Sequence, residues 1–216
     1  MIPAPSVNGH LSHVKCKRSS GFTLIELLVV LGILAITVSS TLLFLTSILR
    51  GSNKASITTE VKQNGQSVLD SLERQIRNAS DAKPADVSSL ASSDSKGVGG
   101  IALTLADVSN STLYIVCFSH VNPNTNGWIG TSNSLAMSGF KAITNTDPVG
   151  GVDVYYNSSN PGDPANCAFN VPIGSLSAGP PVVNINFTLN QGVKAPSRQD
   201  FQANTQFQTT ISLRKY

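Results

Sequence analysis

The longest apolar stretch of this chain lies near its N-terminus. Residues 22–49, FTLIELLVVLGILAITVSSTLLFLTSIL, contain a single charged side chain, Glu26. At about 1.5 Å per residue, a helix over this stretch extends about 42 Å. Its uncharged part, residues 27–49, is long enough to cross a hydrocarbon core of about 30 Å. A domain of this size offers too little apolar surface to surround such a helix, so the pattern predicts a membrane span rather than a buried core helix.

A second, periodic pattern follows the apolar stretch. Apolar residues recur at helical spacing and keep one face apolar, at Ile57, Val61, Val68, Leu72, Ile76 and Ala79. This predicts an amphipathic continuation of the helix over residues 50–83, which Pro84 ends. Gly65 interrupts the pattern. No proline occurs between Pro5 and Pro84, which favours one continuous helix.

The remaining residues, 84–216, are predicted to form a β-rich globular domain. Candidate strands are residues 100–107, 112–120, 140–144, 152–157, 182–189 and 206–213. A turn at 109–111 suggests a hairpin between the first two, and segments 122–127 and 157–164 have the composition of loops. Three glycines, Gly97, Gly99 and Gly100, are interpreted as a flexible joint. Because the strands follow the helix rather than alternate with it, the fold class is α+β with a mainly antiparallel sheet packed on the long helix.

The positive charge of the chain is confined to its first residues. The sequence holds 15 basic and 12 acidic residues, and the excess is Lys15, Lys17 and Arg18. From Phe22 onward the two signs balance, and the charges are scattered singly. Nucleic-acid binding needs basic side chains clustered on one surface, so no nucleic-acid partner is predicted.

A basic segment before an apolar run is typical of a cleaved secretory signal. Here the apolar run is far longer than such a signal, and its small residues 37–41 lie in the middle rather than at the end. An uncleaved single-pass anchor fits better. Its orientation is not decided by charge, because Arg50, Lys54 and Lys62 balance the three basic residues of the leader. Glu26 is costly in a membrane helix, so it needs a partner or a function.

Residues 17–35, KRSSGFTLIELLVVLGILA, resemble the class III signal of type IV pilins and type II secretion pseudopilins. The resemblance covers the basic leader, the glycine, the Phe-Thr pair, Leu-Ile-Glu and the apolar run in one register. It implies that prepilin peptidase cuts between Gly21 and Phe22, and that the new amine of Phe22 is methylated. Residues 1–21 are then a cleaved cytoplasmic leader, and residues 22–49 form a transmembrane and assembly helix.

The resemblance also implies partners. Glu26 pairs with the N-terminal amine of an adjacent subunit, since burying a carboxylate in a helix bundle requires a compensating charge. Other partners are further pilin or pseudopilin subunits through the N-terminal helix, the inner-membrane assembly platform, and membrane lipid before assembly. Residues 63–80 and 208–216 look like the minor subunits of the J or W type. The implied location is the inner membrane, with the C-terminal domain outside the cytoplasm, and then the fibre.

The predicted cleavage changes the cysteine count from three to two. Cys16 leaves with the leader, while Cys117 and Cys167 remain. A disulfide between them would close a long loop and stabilise the domain by about 4 kcal/mol. Such a bond is typical of an oxidising compartment. The alternative is a pair of buried thiols.

No motif in the sequence predicts a catalytic residue, a metal ligand or a cofactor. His120 is the one histidine after the leader, and neither zinc nor serine-hydrolase motifs occur. Asp147, Asp153 and Asp163 could bind calcium in a loop, but they lack the spacing of an EF-hand and are interpreted as solvated loop acids. The preferred function is a structural, non-enzymatic minor pilin or pseudopilin. The alternatives are a DNA-uptake or adhesive pilin that acts as a binding module and, less favoured, a membrane-anchored envelope enzyme.

Overall fold

The computed structural model describes residues 21–106, 111–172 and 181–213. The chain divides into two compact units, residues 1–47 and 48–216. One uninterrupted helix, α1 (Leu24–Arg77), belongs to both of them. The described part of the first unit is the N-terminal half of this helix with the three residues before it. The second unit holds the C-terminal half of α1 and all the strands described below.

The strands form two antiparallel sheets. Sheet A has the order β1-β2-β3-β4-β5, with β1 (Ala79–Pro84), β2 (Ser95–Leu105), β3 (Thr112–His120), β4 (Trp128–Ser132) and β5 (Lys141–Ala142). In sheet B the central strand is β8, which pairs with β6 and β7 and with β9; the bounds are β6 (Val152–Val154), β7 (Ala168–Asn170), β8 (Val182–Gln191) and β9 (Asn204–Ser212). The predicted α+β class with a mainly antiparallel sheet is confirmed.

The core of the second unit lies where both sheets meet the C-terminal half of α1. The helix contributes a buried stripe at four-residue and three-residue steps, which confirms the amphipathic pattern: Val61, Gly65, Val68, Leu72 and Ile76. These side chains pack with residues of sheet A such as Ile115 and of sheet B such as Phe187. Gly65 belongs to this stripe because an added Cβ would overlap the ring of Phe207 on β9. The residue that weakened the helix prediction is therefore a packing position.

The helix ends earlier than the sequence predicts. It stops at Arg77, and β1, which the prediction had included in the helix, pairs with β2 instead. A β-bulge between Ala79 and Asp81 shifts the register of β1. Ala79 and Ala82 are consequently both buried, a spacing of three residues that also fits a helix. The bulged strand thus imitates helical periodicity, and this is why the helix prediction extended too far.

The prediction that Gly97, Gly99 and Gly100 form a flexible joint is wrong, because these glycines lie within β2. A register irregularity occurs between Gly97 and Gly99. At Gly100 an added Cβ would come within 2.9 Å of the Ile115 carbonyl oxygen on β3. A residue without a side chain is needed there because the two strands approach closely.

The other strand predictions are right in position and uneven in length. Strand β3 has the predicted bounds, and β2 starts at Ser95 rather than at residue 100. Strand β8 ends two residues later than predicted, while β9 starts two residues earlier and ends one residue earlier. Strands β5 and β6 are shorter than predicted, and β4 and β7 were not predicted. In β4, Gly130 lacks a side chain and lies under the Trp128 ring, which removes the alternation that marks a strand. Asp107 and residues 109–110 of the predicted hairpin turn lie outside the described residues.

Candidate functional site

The predicted processing site lies immediately before helix α1. Gly21 and Phe22 are exposed, and Phe22 keeps 77% of its accessible surface. No heavy atom lies within 4 Å of a Cβ placed on Gly21. Both sides of the peptide bond are therefore open to an enzyme, and the structure places no packing demand on Gly21.

Helix α1 begins with a side-chain cap that the sequence interpretation did not include. The Thr23 carbonyl oxygen accepts a hydrogen bond from the Leu27 amide at 3.2 Å, and the Thr23 hydroxyl oxygen accepts one from the Glu26 amide at 3.3 Å. Thr23 is thus the N-cap residue, with Glu26 three residues into the helix. The sequence signal is Thr-x-x-Glu before an apolar run, which is the pattern of a capping box.

Glu26 lies in the first turn of α1 and is exposed. A carboxylate is favourable there because the unpaired amides at a helix N-terminus carry partial positive charge. Among residues 21–106, 111–172 and 181–213, its carboxylate forms neither an ion pair nor a hydrogen bond. The side chain is therefore available to a group from outside the chain.

The helix that follows Glu26 is apolar on all sides and unburied. Of the large apolar residues of the chain that are exposed, most lie between Phe22 and Leu49. Helix α1 is long and apolar enough to cross a membrane, by length and composition, and none of its most apolar window is buried. An apolar surface of this extent marks contact with lipid or with other apolar helices. Together with the motif reported below, it suggests a single-pass membrane anchor.

A disulfide joins the two sheets of the second unit. It links Cys117 on β3 to Cys167, which directly precedes β7, and the two Cα atoms are 6.1 Å apart. Both residues are buried. The bond spans fifty residues of sequence and ties β3 of sheet A to the residue that precedes β7 of sheet B.

The acidic residues that were considered for metal binding do not converge. Asp147 and Asp163 organise separate loops through hydrogen bonds from backbone amides. Asp153 was expected to be a solvated loop acid, and this is wrong, since its side chain retains only 10% exposure. Within the described part of the chain, no group of three or more His, Cys, Asp or Glu side chains is arranged to hold a metal ion.

Asp153 instead forms a partly buried polar contact with His120. One carboxylate oxygen, Oδ1, accepts a hydrogen bond from the Gly127 amide at 2.6 Å and lies 3.2 Å from His120 Nδ1. Burial raises the pKa of Asp153, and the Gly127 amide and His120 oppose this rise. No local pattern predicts this contact, because 33 residues separate the pair. The arrangement ties the end of β3 to β6, and no nucleophile accompanies it.

A cavity of about 860 Å³ lies beside the C-terminal half of α1. Its walls include Ile57, Val61 and Phe201, with Glu60 as the one charged residue among those that line it. Neither His120 nor Asp153 contributes to this cavity. The residues that line this cavity thus include no histidine, cysteine, serine or basic side chain beside Glu60.

Comparison with known proteins gives one match. Residues 16–42 match the family model of the prokaryotic N-terminal methylation motif, the class III signal of type IV pilins. No curated protein and no solved structure matches the chain. The match confirms the resemblance at the N-terminus, and it supports a type IV pilin or pseudopilin that is processed by prepilin peptidase and assembles with other pilins. It reaches from the basic leader into the apolar half of α1.

Proposed function

We propose that this chain is a minor pilin or pseudopilin, a structural subunit of a type IV pilus or a type II secretion pseudopilus. Prepilin peptidase cuts it between Gly21 and Phe22 and methylates the Phe22 amine, and the mature subunit enters the fibre at or near its tip. The observation that carries the proposal is the methylation motif at residues 16–42. It coincides with an exposed cleavage position and with a helix that starts at Leu24.

The apolar half of α1 suits two environments, one before assembly and one after it. Before assembly, residues 22–49 lie in the membrane, where their exposed apolar side chains contact lipid. On assembly they exchange lipid for the helices of other subunits. Both environments are apolar, so the exchange does not expose this surface to water.

Glu26 supplies the specific contact in that exchange. Cleavage frees an amine at Phe22, and the proposal pairs the amine of one subunit with Glu26 of the next. In an apolar bundle an unpaired carboxylate is strongly unfavourable, so subunits that form the pair are selected. The absence of an ion-pair partner for Glu26 among the described residues supports an intermolecular role.

The second unit is proposed to lie outside the cytoplasm. The Cys117–Cys167 disulfide supports this orientation, because such bonds persist in oxidising compartments. Assignment to a minor subunit rests on the resemblance of residues 63–80 and 208–216 to the J or W type. Residues 214–216 of the latter segment lie outside the described residues.

Processing is the direct test of this proposal. The full chain is expressed with an active prepilin peptidase and with an inactive one, and its mass is measured. We expect the active enzyme to remove residues 1–21 and to leave one methyl group on Phe22. The matched variant is Gly21→Val, whose added side chain meets open space in the folded chain. It should fold normally and remain uncut, and an intact leader on the wild-type chain beside an active peptidase would refute the proposal.

A further inference from the structure

The edges of the two sheets differ in how they are protected against pairing with another strand. Strand β1, at one edge of sheet A, contains a bulge, two charged residues and Pro84. At the opposite edge, β5 has two residues, one of them Lys141. The strands β6 and β7 that share one side of β8 have three residues each. Bulges, charges, proline and short length are the features by which proteins block edge pairing.

Strand β9 has none of these features. Its nine residues, NTQFQTTIS, include no charged residue, no proline and no glycine. It pairs with β8 in unbroken register from Asn190↔Asn204 to Val182↔Ser212. Among the strands that the structure describes, β9 is the long edge without protection. It therefore presents a regular row of main-chain donors and acceptors to a partner.

The hydrogen bonds that flank β9 show which residues face outward. The Gln191 amide donates to the Ala203 carbonyl oxygen at 3.2 Å, and the Leu213 amide donates to that of Pro181 at 2.8 Å. Since hydrogen-bonded pairs alternate along an antiparallel ladder, Phe207 also directs its main-chain groups toward β8. The residues between turn theirs to the free edge, notably Asn204, Gln206, Gln208 and Thr210. Within the described residues, no hydrogen bond reaches these groups.

The sequence of β9 is symmetric about Phe207. Residues 205–209 read Thr-Gln-Phe-Gln-Thr in either direction. We propose that β9 pairs antiparallel with β9 of a second copy of this chain, about a two-fold axis at Phe207. Gln206 then opposes Gln208 of the second copy, and Thr205 opposes Thr209 of the second copy. Each pair places two identical, uncharged side chains opposite each other, as a self-complementary interface requires.

The geometry at the centre of the strand favours this register. Gln206 and Gln208 point their main-chain groups outward, so they form the hydrogen-bonded pairs of the new ladder. Phe207 then lies at a non-hydrogen-bonded position, where opposing side chains are closest. Phe207 is only partly buried and stacks on Phe187 with ring centroids 5.2 Å apart. Pairing places the two Phe207 rings side by side and extends the aromatic row across both copies.

This contact is independent of the proposed function. A two-fold interface closes at two copies and does not propagate, whereas a fibre needs a contact that repeats from one subunit to the next. The pair is therefore a state of the chain outside the repeating contacts of a fibre. Loss of processing or fibre assembly would leave this inference untouched.

The test uses the full chain in detergent, with the monomer–dimer equilibrium measured by sedimentation. The wild type should form a dimer. The double variant Q206K/Q208K places lysines opposite lysines in both central pairs, and we expect the dimer dissociation constant to rise at least about tenfold. The variant Q206K/Q208E places opposite charges in each pair of the same register. It should bring the constant back to within about threefold of the wild type.

Two comparisons make the result specific. The variant S158K/S159K adds the same charge to an exposed loop and should dimerise like the wild type. Hydrogen exchange provides a second measurement, since the amides of Gln206 and Gln208 should gain protection in the dimer while Phe207 is protected in both states. A monomeric wild type overturns the inference. A dimer that Q206K/Q208K leaves unchanged also overturns it, because another surface, such as the apolar helix, then holds the copies together.

Discussion

The two units of this chain treat apolar side chains in opposite ways. In residues 21–47 the apolar side chains are exposed on every face of the helix, and one carboxylate, Glu26, lies near the helix start. In residues 48–216 the apolar side chains are collected into a core between α1 and the two sheets. Helix α1 therefore changes along its length, from apolar side chains that are exposed to apolar side chains that are buried along one face. The first unit thus presents an apolar surface suited to lipid or to other apolar helices, while the second buries its apolar side chains among its own elements.

Glu26 carries the negative charge of the exposed unit. Replacing Glu26 by Gln retains the size and helix preference of the side chain and removes the carboxylate. We expect membrane insertion to persist and fibre incorporation to fall by about 100-fold or more, because the amine of the neighbouring subunit is left without its partner. Incorporation is measured by quantifying the subunit in sheared fibres.

The variant Thr23→Val is the control for this experiment. It removes the hydroxyl that caps the helix while Glu26 keeps its charge. The cap is worth about 1 kcal/mol, so we expect a much smaller loss of incorporation. Equal losses in the two variants would show that Glu26 acts through the helix start rather than through a charge pair.

In the second unit, the largest expected effect comes from the disulfide. The double variant C117A/C167A removes a link between the sheets and leaves a small cavity, and we expect the free energy of unfolding to fall by about 2–5 kcal/mol. Chemical denaturation of the processed chain measures it. For this comparison the unprocessed chain is also denatured, and Cys16→Ala is its matched control, since Cys16 lies in the predicted leader and takes no part in the Cys117–Cys167 bond. An unchanged midpoint for C117A/C167A, or free thiols at both positions in the exported wild type, would contradict the proposed role.

Two glycines of α1 differ in their surroundings, since one is packed against another element and the other is not. Gly65 lies against the Phe207 ring, while a Cβ at Gly51 meets nothing within 4 Å. Gly51→Ala should stabilise the helix by about 1 kcal/mol through backbone entropy and propensity. Gly65→Ala should instead destabilise by about 1–3 kcal/mol, because the ring must move. Thermal unfolding in detergent compares them, and a stabilising effect at both positions would mean that Phe207 yields without cost.

A smaller effect concerns pH and two acids of the second unit. Burial raises the pKa of Asp153 above its usual value of 3.8, so the folded chain holds this proton where the unfolded chain has released it. The contribution of Asp153 to stability is therefore full below pH 3.8 and declines as pH rises through the folded pKa. The unfolding free energy of the wild type, relative to that of Asp153→Asn, should therefore fall as pH rises through the folded pKa.

Asp163 is expected to show the opposite sign. A hydrogen bond from the Ala165 amide lowers the pKa of its carboxyl, so its contribution is present above the usual pKa and is lost as pH falls through the folded pKa. Unfolding titrations of Asp153→Asn and Asp163→Asn over the acid range measure both slopes. Slopes of the same sign would show that burial does not control Asp153.

The comparison also explains which predictions from sequence succeeded. The exposed half of α1 was predicted because neighbouring residues specify it: its apolar run, glycine and glutamate all lie in one segment. Strand β3 was predicted with its observed bounds because it is a continuous β-favouring run, TLYIVCF. Strand β1 was predicted as helix because its bulge places Ala79 and Ala82 on the core at helical spacing. The burial of Asp153 was missed because its contacts come from residues distant in sequence.

Local sequence specifies the features that we propose other molecules recognise: the basic leader, the Gly21–Phe22 bond, Glu26 and the apolar span. Each of these depends on local order and on side-chain chemistry within a few residues. Contacts between distant segments instead make Gly65 a packing site, bury Asp153 beside His120, and leave β9 as an unprotected edge. These features depend on main-chain pairing and burial between distant segments, where the energy of a residue is set by neighbours that the linear pattern does not identify.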